Sequence, residues 1–242
     1  MEQKKNIALA ARSVPMAHSL CWHCHSEVKG EYLCGQCVKV QPLSKELDYF
    51  TCLRLPRRLN LDEQTLENTF YELSRTFHPD FYSRKDESEQ SISLGNSALL
   101  NTAYRTLKDP FQRAEYLIRL EAGSTKNIRS NPPADLFAEI LELQETLEEF
   151  RSTSSKNQPE TSTILRKKLQ TARQNLEHRR LHLEMSIVSK FDEWDRLQLQ
   201  APNPKELREE KDAILKDIQA NLSNRTYIQN MVNELVETLE PA

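Results

Sequence analysis

The sequence predicts a mainly α-helical protein with a small cysteine-bearing segment near its N-terminus, and three observations predict it. Only 4 of 242 residues are glycine, well under the usual share of about 7%, whereas doubly wound sheets, barrels and propellers turn on many glycines. Apolar residues recur at the 4-3-4 spacing of helix faces through most of the chain. Hydrophobic residues make up 38% and charged residues 29%, with a mean hydropathy of -0.70. That composition suits elongated amphipathic helices better than one thick core. The 33 basic and 36 acidic residues leave a formal net charge of -3, so nothing draws the whole chain toward nucleic acid or an anionic membrane. No run approaches the roughly 18 apolar residues that span a bilayer.

Residues 1–17 read as a loose tail. The opening MEQKKNIALAARSVPMAHSL lacks the apolar core of a secretory signal. Only Lys4, Lys5 and Arg12 suggest a transit peptide, and Glu2 opposes one. The expected compartment is reducing and cytoplasmic, with the mitochondrial matrix as the alternative if the chain is eukaryotic.

Residues 18–42 hold four of the five cysteines as two C-x-x-C pairs, Cys21/Cys24 and Cys34/Cys37. Two tight loops that converge four thiolates on one ion suit a tetrahedral, structural Zn2+. So short a segment has almost no core, so the metal would supply its folding energy. Gly30 and Gly35 offer turn freedom. The same ligands can hold an iron–sulfur cluster. Cys21-Trp-His-Cys24-His25 also matches a haem attachment pattern, and a redox dithiol is a further reading, though no βαβ context surrounds it. His23 and His25 are expected to flank the site. Lys29 and Lys39 are balanced by Glu27 and Glu31, so no basic patch marks a nucleic-acid knuckle. Cys52, beside Phe50 and Leu53, reads as a small buried residue.

Over residues 46–122, Leu66, Phe70, Leu73 and Phe77 form one helix face behind an Asp62 N-cap. Pro79 stops that helix by pushing His78 out of the α region. A polar loop, SRKDESEQS, leads to a second helix carrying Ile92, Leu99, Ala103 and Leu107. Asp109-Pro110 closes it and opens a third, with Asp109 as N-cap and Pro110 in the first helical position, running through Ala114, Leu117 and Ile118. Residues 123–132 are a polar linker with Gly123 and a Pro-Pro pair.

Residues 133–240 read as three long antiparallel helices. Leu136, Ile140, Leu143, Leu147 and Phe150 make the first seam. Leu165, Leu169, Ala172, Leu176, Leu183, Ile187 and Trp194 make the second, and Ile228, Val232, Leu235 and Leu239 the third. Ser152–Pro159 and Ala201–Pro204 are the expected turns. Phe137 lies about 100° and Leu141 about 140° from the first seam, and Tyr227 about 100° from Ile228. Unless a wide bundle face covers them, these three mark a partner surface.

His78-Pro79-Asp80 directly follows an amphipathic helix, opens the loop of an antiparallel hairpin, and precedes the Asn101–Tyr104 stretch. With Asp48-Tyr49-Phe50, Leu107-Lys-Asp-Pro110 and Arg113-Ala-Glu-Tyr-Leu117, the arrangement resembles a J-domain, the module that docks on seventy-kilodalton heat-shock chaperones and stimulates their ATPase. The resemblance assigns chaperone contact to His78, Pro79 and Asp80, with Arg75 beside them. J-domains carry several basic residues on the preceding helix and a lysine after the tripeptide. Here Arg75 stands nearly alone, Phe81 follows Asp80, and Arg57, Arg58, Arg84 and Lys85 are the candidates to compensate. The departure implies a partner less dependent on charge steering.

Knuckles, J-domain and C-terminal bundle in this order resemble the HscB family of co-chaperones for iron–sulfur cluster biogenesis, in its form with an N-terminal tetracysteine knuckle. The resemblance implies a non-enzymatic adaptor that delivers the cluster scaffold protein to a heat-shock-70-type ATPase. Its scaffold-binding patch would be Phe137, Ala138, Leu141 and Glu142, with Tyr227 from the last helix; Ala138 is smaller than the family pattern leads one to expect. No nucleic acid or membrane partner is implied, and a homo-oligomer is left open. A general J-domain co-chaperone with another client, or a cysteine-based metal or redox protein, are the alternative readings.

Overall fold

A computed structural model of the chain describes residues 19–28, 30–44, 46–122, 134–155, 159–199 and 206–240. The expected tail 1–17, linker 123–132 and turn Ala201–Pro204 lie outside the described residues. The fold is mainly α, as the sequence predicts: a J-domain-like helical hairpin, a three-helix bundle and a small N-terminal tetracysteine segment. The chain divides into two compact units, Met1–Arg113 and Ala114–Ala242. Among the described residues no helix is long and apolar enough to cross a membrane.

In the first unit, a two-stranded antiparallel ribbon (β1, Ser19–Leu20; β2, Glu27–Val28) precedes four helices. A short α1 (Tyr49–Cys52) is capped by Asp48, whose carboxylate accepts from Thr51 N at 3.0 Å and pairs with Arg57 at 2.8 Å. α2 (Glu63–Phe77) starts at its expected cap, with the Asp62 carboxylate accepting from Thr65 N at 2.8 Å. Its inward face buries Leu66, Leu73 and Phe77. Phe70 stacks on Tyr104 of the facing helix at a 4.0 Å centroid distance.

Pro79 ends α2 at Phe77 and begins a one-turn helix, α3 (Pro79–Tyr82), for which His78 is the N-cap. The hairpin's second helix, α4 (Glu87–Lys108), starts inside the expected SRKDESEQS loop, because the Asp86 carboxylate accepts from Glu89 N at 2.9 Å and nucleates it. Its buried residues are Glu89, Ser93, Asn96, Leu100, Ala103 and Leu107, so Leu100 rather than the expected Leu99 faces the core. Periodicity counts only apolar residues, and here three buried positions are polar. Asp109 then ends α4, and its Oδ1 accepts from Phe111 N and Gln112 N at 2.9 and 2.8 Å, starting α5 (Pro110–Ala122) as expected.

The second unit holds α6 (Ala134–Ser155), α7 (Pro159–Leu199) and α8 (Glu206–Leu239). The three expected seams meet in one core that includes Leu136, Leu143, Leu147 and Phe150 of α6, Leu169 and Leu176 of α7, and Ile228, Leu235 and Leu239 of α8. The first expected turn is shorter than Ser152–Pro159, since α6 continues through Ser155 and α7 resumes at Pro159. Phe191 and Leu197 of α7 and Leu215, Ile218 and Leu222 of α8 are buried as well. They extend the seams beyond the residues the periodicity selected.

Buried Asn96 serves two backbone groups at once. Its Oδ1 accepts from Leu43 N and its Nδ2 donates to Gln41 O, each at 2.9 Å. Asn96→Ala leaves a buried donor and a buried acceptor without partners, at about 1–3 kcal/mol each. Denaturant unfolding of the variant is expected to show a loss of about 2–5 kcal/mol with an unchanged m-value.

Candidate functional site

The two C-x-x-C loops are built alike. The first cysteine's N–H donates to a carbonyl five residues on: Cys21 to Ser26 at 2.7 Å and Cys34 to Lys39 at 2.9 Å. Its carbonyl accepts from the residue four on: His25 at 2.9 Å and Val38 at 2.8 Å. Each loop closes through a left-handed residue, His25 at φ 59° and Val38 at φ 60°. Side chains of these types take that conformation only where surrounding bonds over-determine it. Gly30 adopts φ 74° as the sequence suggests, but Gly35 lies outside the left-handed region, so its freedom is not what makes the second turn.

The four sulfurs lie within 4.8 Å of one another, with Cys21 to Cys37 and Cys24 to Cys34 at 3.6 Å. Four sulfurs around one tetrahedral metal with bonds of about 2.3 Å stand about 3.8 Å apart, so the donor set fits one ion. Its electrostatics fit too. The Ser26 hydroxyl, 3.2 Å from Cys34 Sγ, together with the Cys37 and Gln36 amides, holds the Cys34 thiol down at about 5. Burial opposes ionisation of Cys21, but the amides of Cys24 and His23 outweigh it and the thiol is lowered. At Cys37 the Lys39 amide favours the thiolate. Burial and the Cys21, Cys24 and Cys34 sulfurs outweigh it and push the thiol up to about 12. Sulfurs this close cannot all ionise without a cation among them. His23 and His25 are exposed beside the cluster and do not join it. Cys52 is fully buried and apart from it, and burial pushes its thiol up to about 12.

The knuckle is not a free appendage of its unit. Tyr32 lies edge-on to Phe77 at 5.2 Å, and its hydroxyl donates to Cys52 O at 3.3 Å. The Arg54 guanidinium sits 4.3 Å over the Tyr32 ring. Lys39 pairs with Asp86 and Glu89 at the start of α4. Gln41, whose Nε2 donates to Cys21 Sγ at 3.4 Å, carries the carbonyl that Asn96 holds.

At the far end of α2, His78 and Asp80 turn outward, their side chains 52% and 86% exposed. His78 Nδ1 accepts from Asp80 N at 3.3 Å, capping α3. The same Nδ1 lies 3.6 Å from Asp80 Oδ2, so the two exposed groups stand side by side on the corner. Behind the corner the chain is pinned. Phe77 is fully buried, and its carbonyl accepts the Ser93 and Ser97 hydroxyls at 2.7 and 2.8 Å. Tyr82 donates to Thr76 O at 2.9 Å. Arg75 shares an open groove of about 300 Å³ with Tyr71, Ser74, His78, Asp80 and Phe81. Of the expected compensating cations, Arg57 is engaged by Asp48, while Arg84 and Lys85 are exposed beyond α3.

In the second unit, Phe137 and Leu141 are 59% and 49% exposed, so the bundle does not cover them. Ala138 and Glu142 share that exposed surface of α6. Tyr227, whose burial periodicity leaves open, is half-buried and packs against the bundle core. Arg179 of α7 pairs with Glu139 of α6 at 2.9 Å, and the adjacent Arg180 bonds Gln229 of α8 at 2.8 Å. Phe137–Glu142 and Tyr227 therefore sit at one level of the bundle. Sequence reading missed Tyr32, Ser93, Ser97 and Asn96. None carries a motif signal, because their roles are set by contacts distant in sequence.

No family model matches the chain. It is 30% identical over 158 residues to the human iron-sulfur cluster co-chaperone protein HscB, covering 63% of this chain and 67% of that protein. The mouse protein of that name matches at 30% over 153 residues, covering 61% and 65%. Co-chaperone protein HscB of Proteus mirabilis matches at 35% over 113 residues, covering 46% and 65%. The chain thus spans about two thirds of the length of these curated relatives. The crystal structure of human co-chaperone protein HscB shares the fold, with a TM-score of 0.64 at 21% identity over 93% of this chain and 100% of that one. A tetracysteine knuckle, a proline-broken helical hairpin and a three-helix bundle in this order, joined to these identities, place the chain in the HscB co-chaperone family.

Proposed function

We propose that the chain is a co-chaperone of iron–sulfur cluster biogenesis. It binds the cluster scaffold protein through the exposed face of α6 and presents it to a heat-shock-70-type chaperone, whose ATPase it stimulates through His78-Pro79-Asp80. The observation that carries this reading is the corner itself: an imidazole and a carboxylate directed to solvent from a backbone pinned behind them by Ser93, Ser97 and Tyr82. Ordered polar groups on a fixed corner bind a partner without a further ordering cost. The chain supplies no bond-making chemistry and is not an enzyme. It couples two binding events, and the chaperone hydrolyses the nucleotide. A general J-domain co-chaperone would need the corner alone. The uncovered Phe137 and Leu141, on a helix with its own buried seam, favour the scaffold as client.

The metal is proposed to be Zn2+, held by Cys21, Cys24, Cys34 and Cys37, in a structural role. When bound it would neutralise the crowded sulfurs and fix both knuckles. Tyr32, Lys39 and Gln41 would then pass that order to the ends of α2 and α4.

Single-turnover hydrolysis by the cognate chaperone is expected to accelerate with wild type and to stay at its basal rate with His78→Gln. The double variant Phe137→Ala/Leu141→Ala is expected to stimulate normally while its scaffold affinity falls about 10- to 100-fold. Equal stimulation by wild type and His78→Gln would defeat the chaperone assignment, and unchanged scaffold affinity would defeat the client assignment.

Elemental analysis of the purified chain is expected to give about one zinc per chain and a colourless protein. Cys34→Ser is expected to lose that zinc and to lower the melting temperature. A coloured, iron-loaded chain would replace zinc with a cluster.

A further inference from the structure

Resting on the reading of His78-Pro79-Asp80 as the chaperone-docking corner, we propose that the chaperone is held there chiefly by an apolar contact. Phe81 and Tyr71 would make it, against a partner face that is apolar and non-acidic. α2 places Tyr71, Ser74 and Arg75 at positions i, i+3 and i+4, one helix face, and His78 follows as its C-cap. The turn of α3 then brings the Phe81 ring to 5.9 Å from the His78 ring, edge to face. Tyr71 and Phe81 are 55% and 68% exposed, and together with the docking residues they line the groove of about 300 Å³. Single exposed apolar residues are ordinary, but two aromatics framing a concavity that also holds the docking groups have the make-up of a binding hot spot.

Charge decides the partner's chemistry. On α2 the exposed Glu63 and Glu72 outnumber the single cation Arg75, Glu67 being paired with Lys108 at 3.0 Å. Asp80 adds a largely exposed carboxylate, and the cations Arg84 and Lys85 lie beyond α3. An acidic partner face would be repelled along the helix. A neutral or weakly basic face with an apolar socket complements both Asp80 and the aromatic pair. The groove adjoins the proposed docking groups without a break, so whatever engages His78 and Asp80 also covers it.

The test uses the full chain and its cognate seventy-kilodalton chaperone. Affinity and single-turnover ATPase are measured for wild type, Phe81→Ala, Tyr71→Ala, Phe81→Lys and His78→Gln, between about 50 and about 500 mM salt. More than half exposed, the two aromatics can be truncated with the melting temperature unchanged. Both alanine variants should bind about 10- to 100-fold more weakly. Wild-type affinity should change less than about threefold across the salt range, and Phe81→Lys should lose at least as much as Phe81→Ala despite its added cation. If both alanine variants bind like wild type while His78→Gln is silent, the groove is overturned and the co-chaperone reading stands. If His78→Gln stimulates like wild type, both fall. A wild-type affinity that drops more than about tenfold with salt, or a gain from Phe81→Lys, overturns the apolar contact. So does concentration-dependent self-association of the chain that Phe81→Ala abolishes while chaperone affinity holds, since the groove would then seat a second copy.

Discussion

A missing backbone proton organises the first unit. Pro79 cannot donate to a helical carbonyl, and it disfavours the α region for His78. α2 must therefore stop at Phe77 with its last carbonyls unpartnered inside the protein, where an unmade bond is costly. The structure answers with hydroxyls from elsewhere: Ser93 and Ser97 of α4 serve the Phe77 carbonyl, and Tyr82 serves that of Thr76. A helix end stitched to the next helix cannot swing, and the angle at which α3 leaves α2 is fixed with it. The outward aim of His78 and Asp80 is the visible result. Their geometry is set by residues that never face the partner.

The knuckle belongs to the same set of constraints. A segment of this size buries little, and two of its own buried side chains are Cys21 and Cys34 of the tetracysteine cluster. Much of its order must come from docking on the rest of the unit. Docking falls on the two places that matter for the corner. Tyr32 covers Phe77, one residue before His78, and Lys39 holds Asp86 and Glu89, where α4 begins. Asn96 ties Gln41 and Leu43 to the same helix that supplies Ser93 and Ser97. The cysteine segment and the hairpin thus share one polar and aromatic seam, and disturbing either is felt along it.

What the sequence made legible follows from what its signals encode. The C-x-x-C pairs, the Asp62 and Asp109 caps, the proline break and the bundle seams are local patterns with local physical causes, and the structure carries each where it was read. The failures are of another kind. Ser93 and Asn96 occupy core positions of α4, but a count of apolar residues cannot see a polar side chain that is buried because a distant carbonyl needs it, that of Phe77 for Ser93 and that of Gln41 for Asn96. The left-handed turns fall on His25 and Val38 because the loop bonds dictate them, while composition pointed to Gly35. A helical wheel knows only its own helix, so it leaves Tyr227 open between burial and exposure; its packing against the bundle core is a tertiary fact. For Phe137 and Leu141 periodicity alone left burial and exposure open. The structure leaves both largely exposed.

Both units solve one further problem alike: keeping the residues that fold apart from those that dock, although they are neighbours in sequence. Phe70, half-buried, stacks on Tyr104 of α4 while Tyr71 faces out. Phe77 is sealed in the core while His78 is half exposed. Leu136 is fully buried while Phe137 is 59% exposed. A helix turns about 100° between consecutive residues, so a one-residue step carries a large side chain from seam to surface without loosening either. Docking groups can then change with the partner at little cost in stability, whereas the inward neighbour cannot change without opening a cavity. In α2 that freedom has been used: the helix keeps the buried line Leu66, Leu73 and Phe77, and its outer face presents aromatic surface and carboxylates with Arg75 as its one cation.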